Sequence, residues 1–158
     1  MTNILTLERV ETFISQYHIL QGITFEAKEG EVSVLLGRNG AGKTTTLRTI
    51  MGLTPASKGS IHFDGKDITK MAPYDIANSG IGYVPEDQGI FGQLTVEENM
   101  KVAIRKETDA TMQKQAYILE LFPDLKKFWK KQGGNLSGGQ KQMLAMARAF
   151  VNDSKLLL

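Results

Sequence analysis

The chain has 158 residues, of which 41% are hydrophobic and 23% charged, with a formal net charge of +2 and no cysteine. These values suit one globular domain with a real core. They exclude a disulfide framework, a thiolate metal site and nucleic-acid binding driven by net charge alone. No basic start followed by an apolar run opens the chain, and no apolar stretch approaches the roughly 20 residues that span a bilayer. A role at a membrane therefore needs a partner that spans it.

In chain order, ITFEAK at 23–28 alternates apolar and polar side chains as a half-exposed strand does. EVSVLLG at 31–37 is a nearly continuous apolar run, Val32, Val34, Leu35 and Leu36, and predicts a strand covered on both faces. SIHFDGKDI at 60–68 predicts a hairpin turning at Asp64-Gly65, and GIGYVP at 80–85 a short strand. LTVEENMKVAI at 94–104 predicts a helix opened by a capping box between Thr95 and Glu98. Met112, Ala116, Leu119 and Phe122 form the expected inner stripe of a second helix. Residues 137–151 read as a third helix, apolar over much of its circumference, with Met143 and Met146 as core. Leu156–Leu158 read as the beginning of a buried strand, with exposed apolar surface expected there. The order predicts an α/β fold with an antiparallel portion at the front.

Straight after the apolar run comes GRNGAGKTTT. Gly37, Gly42, Lys43 and Thr44 fit the pattern G-x-x-x-x-G-K-[ST]. Glycines let successive backbone N–H groups turn inward as an anion nest, and a helix starting near Gly42 adds its positive end. Lys43 supplies a charge for β- and γ-phosphates, and the Thr44 hydroxyl a ligand for Mg²⁺. The candidate nucleotide-binding residues are Gly37, Arg38, Asn39, Gly40, Ala41, Gly42, Lys43, Thr44 and Thr45.

A second glycine pair lies in NLSGGQKQM. Ser137 and Gln140 have capping-box spacing. That accounts for neither Gly138 nor Gly139, each of which costs about 1 kcal/mol against alanine inside a helix. The pair makes sense if an anion must approach that helix end closely.

Together, GRNGAGKTT and Leu136, Ser137, Gly138, Gly139 and Gln140 resemble the nucleotide-binding subunit of an ATP-binding cassette (ABC) transporter, over essentially the whole chain. The resemblance implies a P-loop NTPase fold of ABC type: an antiparallel β portion, a parallel core sheet and a helical subdomain near residues 87–135, within one domain covering 1–158. It implies ATP and Mg²⁺ as ligands. It also implies a second nucleotide-binding subunit paired head to tail, the 137–140 segment of one closing over the phosphates of the other. Membrane permease subunits would be the docking partners, the location would be peripheral on the cytoplasmic face of the cell membrane, and nucleic acid would not be a partner. LLGRNGAGKTTTLRTIMGL, GIGYVPEDQGIF and LTVEEN are similar to the subunits that drive bacterial uptake of branched-chain amino acids, with urea and short-chain amide importers as near relatives.

Three stretches depart from the family pattern. Glu86 stands where most of the family has a metal-ligating glutamine, and reads either as a Mg²⁺ ligand or as a solvated loop acid. Ile14 falls where an aromatic usually stacks on adenine, with Phe13 and Tyr17 nearby as core, surface or base platform. Lys126, Lys127, Lys130 and Lys131 flank Phe128 and Trp129, a pattern of either an anionic partner site or a solvated helix end. His18 and His62 are isolated. In the family, a strand beginning like KLLL at 155–158 continues into an Asp that orients Mg²⁺ and a Glu that polarises water. The resemblance implies that these lie after Leu158, so residues 1–158 hold no catalytic carboxylate and are expected to bind ATP weakly or not at all and to turn over none. Three readings follow: an importer ATPase, a soluble non-transport cassette ATPase, or a bare nucleotide-binding module.

Overall fold

The computed structural model describes residues 2–158, which form two compact units that meet at Ser79 and Gly80. The first unit is built on a four-stranded antiparallel sheet in the order β2-β1-β3-β4. Strands β1 (Asn3–Ile14) and β2 (Tyr17–Lys28) form a long hairpin, and β3 (Lys58–Phe63) pairs with the other edge of β1. Strand β4 (Lys66–Asp67) returns from β3 through Asp64 and Gly65, both at positive φ. That is the backbone a two-residue hairpin turn requires, and it occurs at the predicted dipeptide.

One sheet face is apolar because β1 alternates: Leu5, Leu7, Val10 and Thr12 are buried while Glu8, Arg9 and Phe13 are exposed. Leu20, Ile61 and Phe63 extend that face. Helix α1 (Lys43–Ile50) seats Thr46, Thr49 and Ile50 inward, and Thr49 shares a buried hydroxyl–hydroxyl hydrogen bond of 3.2 Å with Thr12. A short helix α2 (Pro73–Asn78) starts on Pro73, whose fixed φ suits a first helical position, and buries Ile76.

The predicted buried strand at 31–37 is not found. These residues form no strand, and Val32, Val34 and Leu36 are 94%, 72% and 84% exposed. Among the described residues no strand pairs with the segment, and an apolar run becomes a buried strand only when neighbours occupy both its edges and both its faces. The exposed apolar surface expected at the chain's last residues lies here instead, since Leu156–Leu158 are half-buried.

The second unit joins a short parallel pair to a helical body. Strand β5 (Ile81–Gly82) pairs in parallel with β6 (Leu156–Leu157). Between them lie α3 (Val96–Ala103), α4 (Asp109–Leu121), α5 (Pro123–Lys127), a 3-10 turn at Gly133–Asn135 and α6 (Gly138–Phe150). Val96, Met100, Ile118, Leu125, Leu136, Leu144, Ala147 and Val151 form its core, with Phe122, Phe128, Trp129 and Met143 packed around them. The box at the start of α3 is complete: the Glu98 N–H donates to Thr95 Oγ1, and Thr95 N–H and O–H both donate to the Glu98 carboxylate. Those bonds hold the Glu98 carboxyl below its usual range.

The inner stripe of α4 is also corrected. Met112 and Ala116 face solvent, and the helix turns Ile118 inward with Leu119 and Phe122 at its flank. Packing of Ile118 into the core selects an inner stripe one position away from the one the apolar spacing alone suggests. Around α5, Lys127 pairs with Asp124 at 2.9 Å, Lys130 pairs with Glu97, and Lys131 lies 5.1 Å from the Phe128 ring centroid. This is the solvated-helix-end reading of the lysine run.

Candidate phosphate-binding site

The loop that enters α1 is fixed by three features. Ala41 N–H donates to the Arg38 carbonyl at 3.1 Å, making a tight turn over 38–41. Gly40 and Gly42 both have positive φ, 83° and 94°. Gly42 is the N-cap of α1, and a Cβ there would come within 2.9 Å of the buried Leu20 side chain, so conformation and space both call for glycine. Behind this turn α1 is anchored by the Thr12–Thr49 bond and by Thr46, whose N–H and O–H each donate 2.8 Å bonds to the Gly42 carbonyl.

The N-terminus of α1 has no side-chain cap and no acidic residue in its first turn. Its positive end therefore faces outward without a carboxylate to offset it. Lys43 adds a full charge at the same place. Its Nζ donates to the carbonyls of Gly37 at 2.7 Å and Arg38 at 2.8 Å, which folds the side chain back across the loop. An ammonium has three N–H donors, so one remains for a further acceptor. Gly37–Ala41 and Thr44 are exposed, and Gly42, Lys43 and Thr45 half-buried, so the loop lies open to solvent with the Lys43 ammonium folded across it. A glycine-rich turn at a helix N-terminus with a lysine beside it is an arrangement suited to a multiply charged anion.

The other candidate residues lie in the second unit. Ser137 caps α6: the Gln140 N–H donates to Ser137 Oγ at 3.2 Å, and the Ser137 N–H donates to Gln140 Oε1 at 2.9 Å. Leu136 is buried and fixes the entry to the helix. Gly138 and Gly139 are exposed, and a Cβ built on either would meet no atom within 4 Å. The chain's own packing thus gives no reason for these two glycines, and α6, like α1, carries no acid in its first turn. Glu86 is exposed on the loop that follows β5 and Pro85.

Neither Phe13 nor Tyr17 is core. They are 44% and 64% exposed at the end of the β1–β2 hairpin. Phe13 stacks face to face on His18, with centroids 4.2 Å apart and planes 4° from parallel. Glu11 bridges His18 and Lys58 at 3.3 and 3.2 Å on the same face. His18 is therefore part of a surface cluster rather than isolated. Sequence reasoning passed over Asn99 and Arg148, both of which hold the loop after Glu86; the available signal was an asparagine on the apolar face of α3.

A family model described as ABC transporter matches residues 20–158. The chain is 37% identical over 155 residues to the high-affinity branched-chain amino acid transport ATP-binding protein BraG of Pseudomonas aeruginosa, covering 98% of this chain and 66% of that protein. It is 36% identical over 144 residues to the probable branched-chain amino acid transport ATP-binding protein LivF of Archaeoglobus fulgidus, covering 90% of this chain and 61% of the relative. The lipopolysaccharide export system ATP-binding protein LptB of Haemophilus influenzae is 33% identical, over 99% of this chain and 66% of its own length. The chain thus spans less than two thirds of the length of these relatives. Among solved structures, a nucleotide-free ATP-binding cassette from an ABC transporter superposes with a TM-score of 0.84 at 26% identity, over 99% of this chain and 68% of that one. The fold agrees with these matches, and the chain belongs to the ABC transporter family, with the fold of its ATP-binding cassettes.

Proposed function

We propose that this chain is the nucleotide-binding portion of an ABC importer's ATPase subunit, serving uptake of branched-chain amino acids. One observation carries the nucleotide reading: the solvent-open glycine loop from Gly37 leads into an uncapped helix N-terminus with the Lys43 ammonium folded across it. The loop amides bind the β- and γ-phosphates, and Lys43 orients them. The Thr44 hydroxyl is the proposed Mg²⁺ ligand of this loop, an oxygen donor of the type that ion takes. A Mg²⁺ held there would supply charge neutralisation to the phosphate oxygens.

Ser137–Gln140 of one subunit closes on the phosphates held by a second. Two exposed glycines with open space around them support this, because a close approach from outside is what they permit. No helix among the described residues is long and apolar enough to cross a membrane. The transport ATP-binding proteins this chain resembles support a place beside membrane permease subunits, peripheral on the cytoplasmic side.

The branched-chain assignment rests on the names of two relatives at 36–37% identity. A second reading, export or import of another solute, is favoured by the lipopolysaccharide-export relative and by a sulfate/thiosulfate importer subunit at 34% identity. Disrupting the gene in its host is expected to remove most uptake of radiolabelled leucine, isoleucine and valine and to leave sulfate and urea uptake unchanged. Retained leucine uptake with loss of another solute would transfer the assignment to that solute.

A further inference from the structure

Asn99 is one of the few fully buried polar side chains, and every polar atom on it is used. Its Oδ1 accepts from the Phe91 N–H at 3.0 Å. Its Nδ2 donates to the carbonyls of Phe91, Leu94 and Thr95 at 3.0, 3.2 and 2.9 Å. The side chain thus ties together the loop that runs from Glu86 into α3. That loop is in turn bonded to the turn preceding Ser137. Gly133 N–H donates to the Leu94 carbonyl, the same oxygen that Asn99 holds, and Gly134 N–H donates to the Gly92 carbonyl, both at 2.8 Å.

The approach is close enough that side chains are excluded. A Cβ on Gly133 would lie 2.8 Å from Ile90, 3.0 Å from the Phe91 carbonyl and 3.2 Å from Asn99 Nδ2. The far side of the loop is fastened to α6 itself. Gln88 donates to Gln142 at 3.1 Å, the Arg148 guanidinium donates to the Gly89 carbonyl, and it lies 5.1 Å from the Phe91 ring centroid.

We propose that Asn99 is a positioning residue that fastens the loop following Glu86 to the turn preceding Ser137, so that the two segments are held and displaced as one body. Its consequence for ATP turnover rests on the reading of Ser137–Gln140 given above. A shift of the loop is then delivered to the N-terminus of α6 with little loss. Only asparagine meets the chemistry. Aspartate would set a negative oxygen against three carbonyls, alanine would strand a buried N–H, and glutamine is a methylene too long for a site with no free space.

Amide hydrogen exchange tests the fastening without any nucleotide. In Asn99→Ala, the amides of Phe91, Gly133, Gly134 and Gln140 are expected to speed up together by about tenfold or more, while Phe122 at the end of α4 keeps its protection. Faster exchange at Phe91 alone overturns the proposal. If Asn99→Ala unfolds the unit, Gly134→Ala reads the same link from its exposed end, where the new Cβ would sit 3.1 Å from the Gly92 carbonyl. Phe91 and Gln140 must then speed up together, and a protected Phe91 amide overturns the proposal. In the assembled ATPase the same variants are expected to lower kcat by about tenfold with KM for ATP changed less than about twofold. A rise in KM matching the fall in kcat would overturn the positioning role. Linked exchange with an unchanged kcat would sustain the fastening and overturn the nucleotide reading of Ser137–Gln140.

Discussion

Lys43→Ala is expected to weaken Mg·ATP binding by about ten- to a hundredfold, the equivalent of losing a charge-assisted contact of about 1.5–3 kcal/mol. Two effects add. The variant loses the full positive charge that Lys43 places across the loop, and it loses the two bonds by which the ammonium holds the Gly37 and Arg38 carbonyls. Stability should change little, because those carbonyls are exposed and water replaces the lysine. Titration calorimetry on parent and variant checks this, with circular dichroism melts as the control for folding. Affinities equal within about twofold would remove Lys43 from the site.

The largest stability effect is expected far from that loop, at Gly59. Strand β1 carries an irregularity between Glu8 and Glu11, where Arg9 adopts φ 47° and donates its N–H to Thr24 Oγ1. The kinked backbone presses directly on β3. A Cβ on Gly59 would lie 2.4 Å from both the Glu8 and the Arg9 carbonyl oxygens, and Gly59 itself has φ 80°. Backbone cannot rotate away as a flexible side chain would. Gly59→Ala therefore combines left-handed strain of about 1–2 kcal/mol with displacement of a central strand pair, and is expected to cost about 3 kcal/mol or more. That corresponds to a fall in Tm of roughly 6–12 °C for a chain of this size. A melt lowered by less than about 2 °C would contradict the close approach.

What could be read in advance divides by the range of the forces involved. Capping boxes at Thr95 and Ser137, the Asp64-Gly65 turn and the helical start at Lys43 depend on residues three or four apart, and each stands where the chain alone places it. The 31–37 run has the composition of a buried strand, but burial belongs to its neighbours, and hydrophobicity carries no information about whether they are at hand. The stripe on α4 failed for a related reason. Several apolar residues on a short helix define two overlapping stripes, and the packing around Ile118 selects one.

Site residues show the same split. The glycine loop was legible because its chemistry is local. Asn99 was not, because its partners at Phe91, Leu94 and Thr95 become a site only after the chain has turned back on itself. Gly59 left only a weak trace, a lone glycine beside an alternating strand, which signals a bulge or a close backbone approach without saying to what.

The most direct measurement is an amide chemical-shift titration of the isotopically labelled protein with a non-hydrolysable ATP analogue and Mg²⁺. The account predicts that the amides of Gly40, Ala41, Gly42, Lys43 and Thr44 move furthest and saturate together, and that Lys43→Ala moves their saturation to about ten- to a hundredfold higher analogue concentration. Saturable shifts centred elsewhere, with the amides of residues 37–45 unmoved, would contradict it.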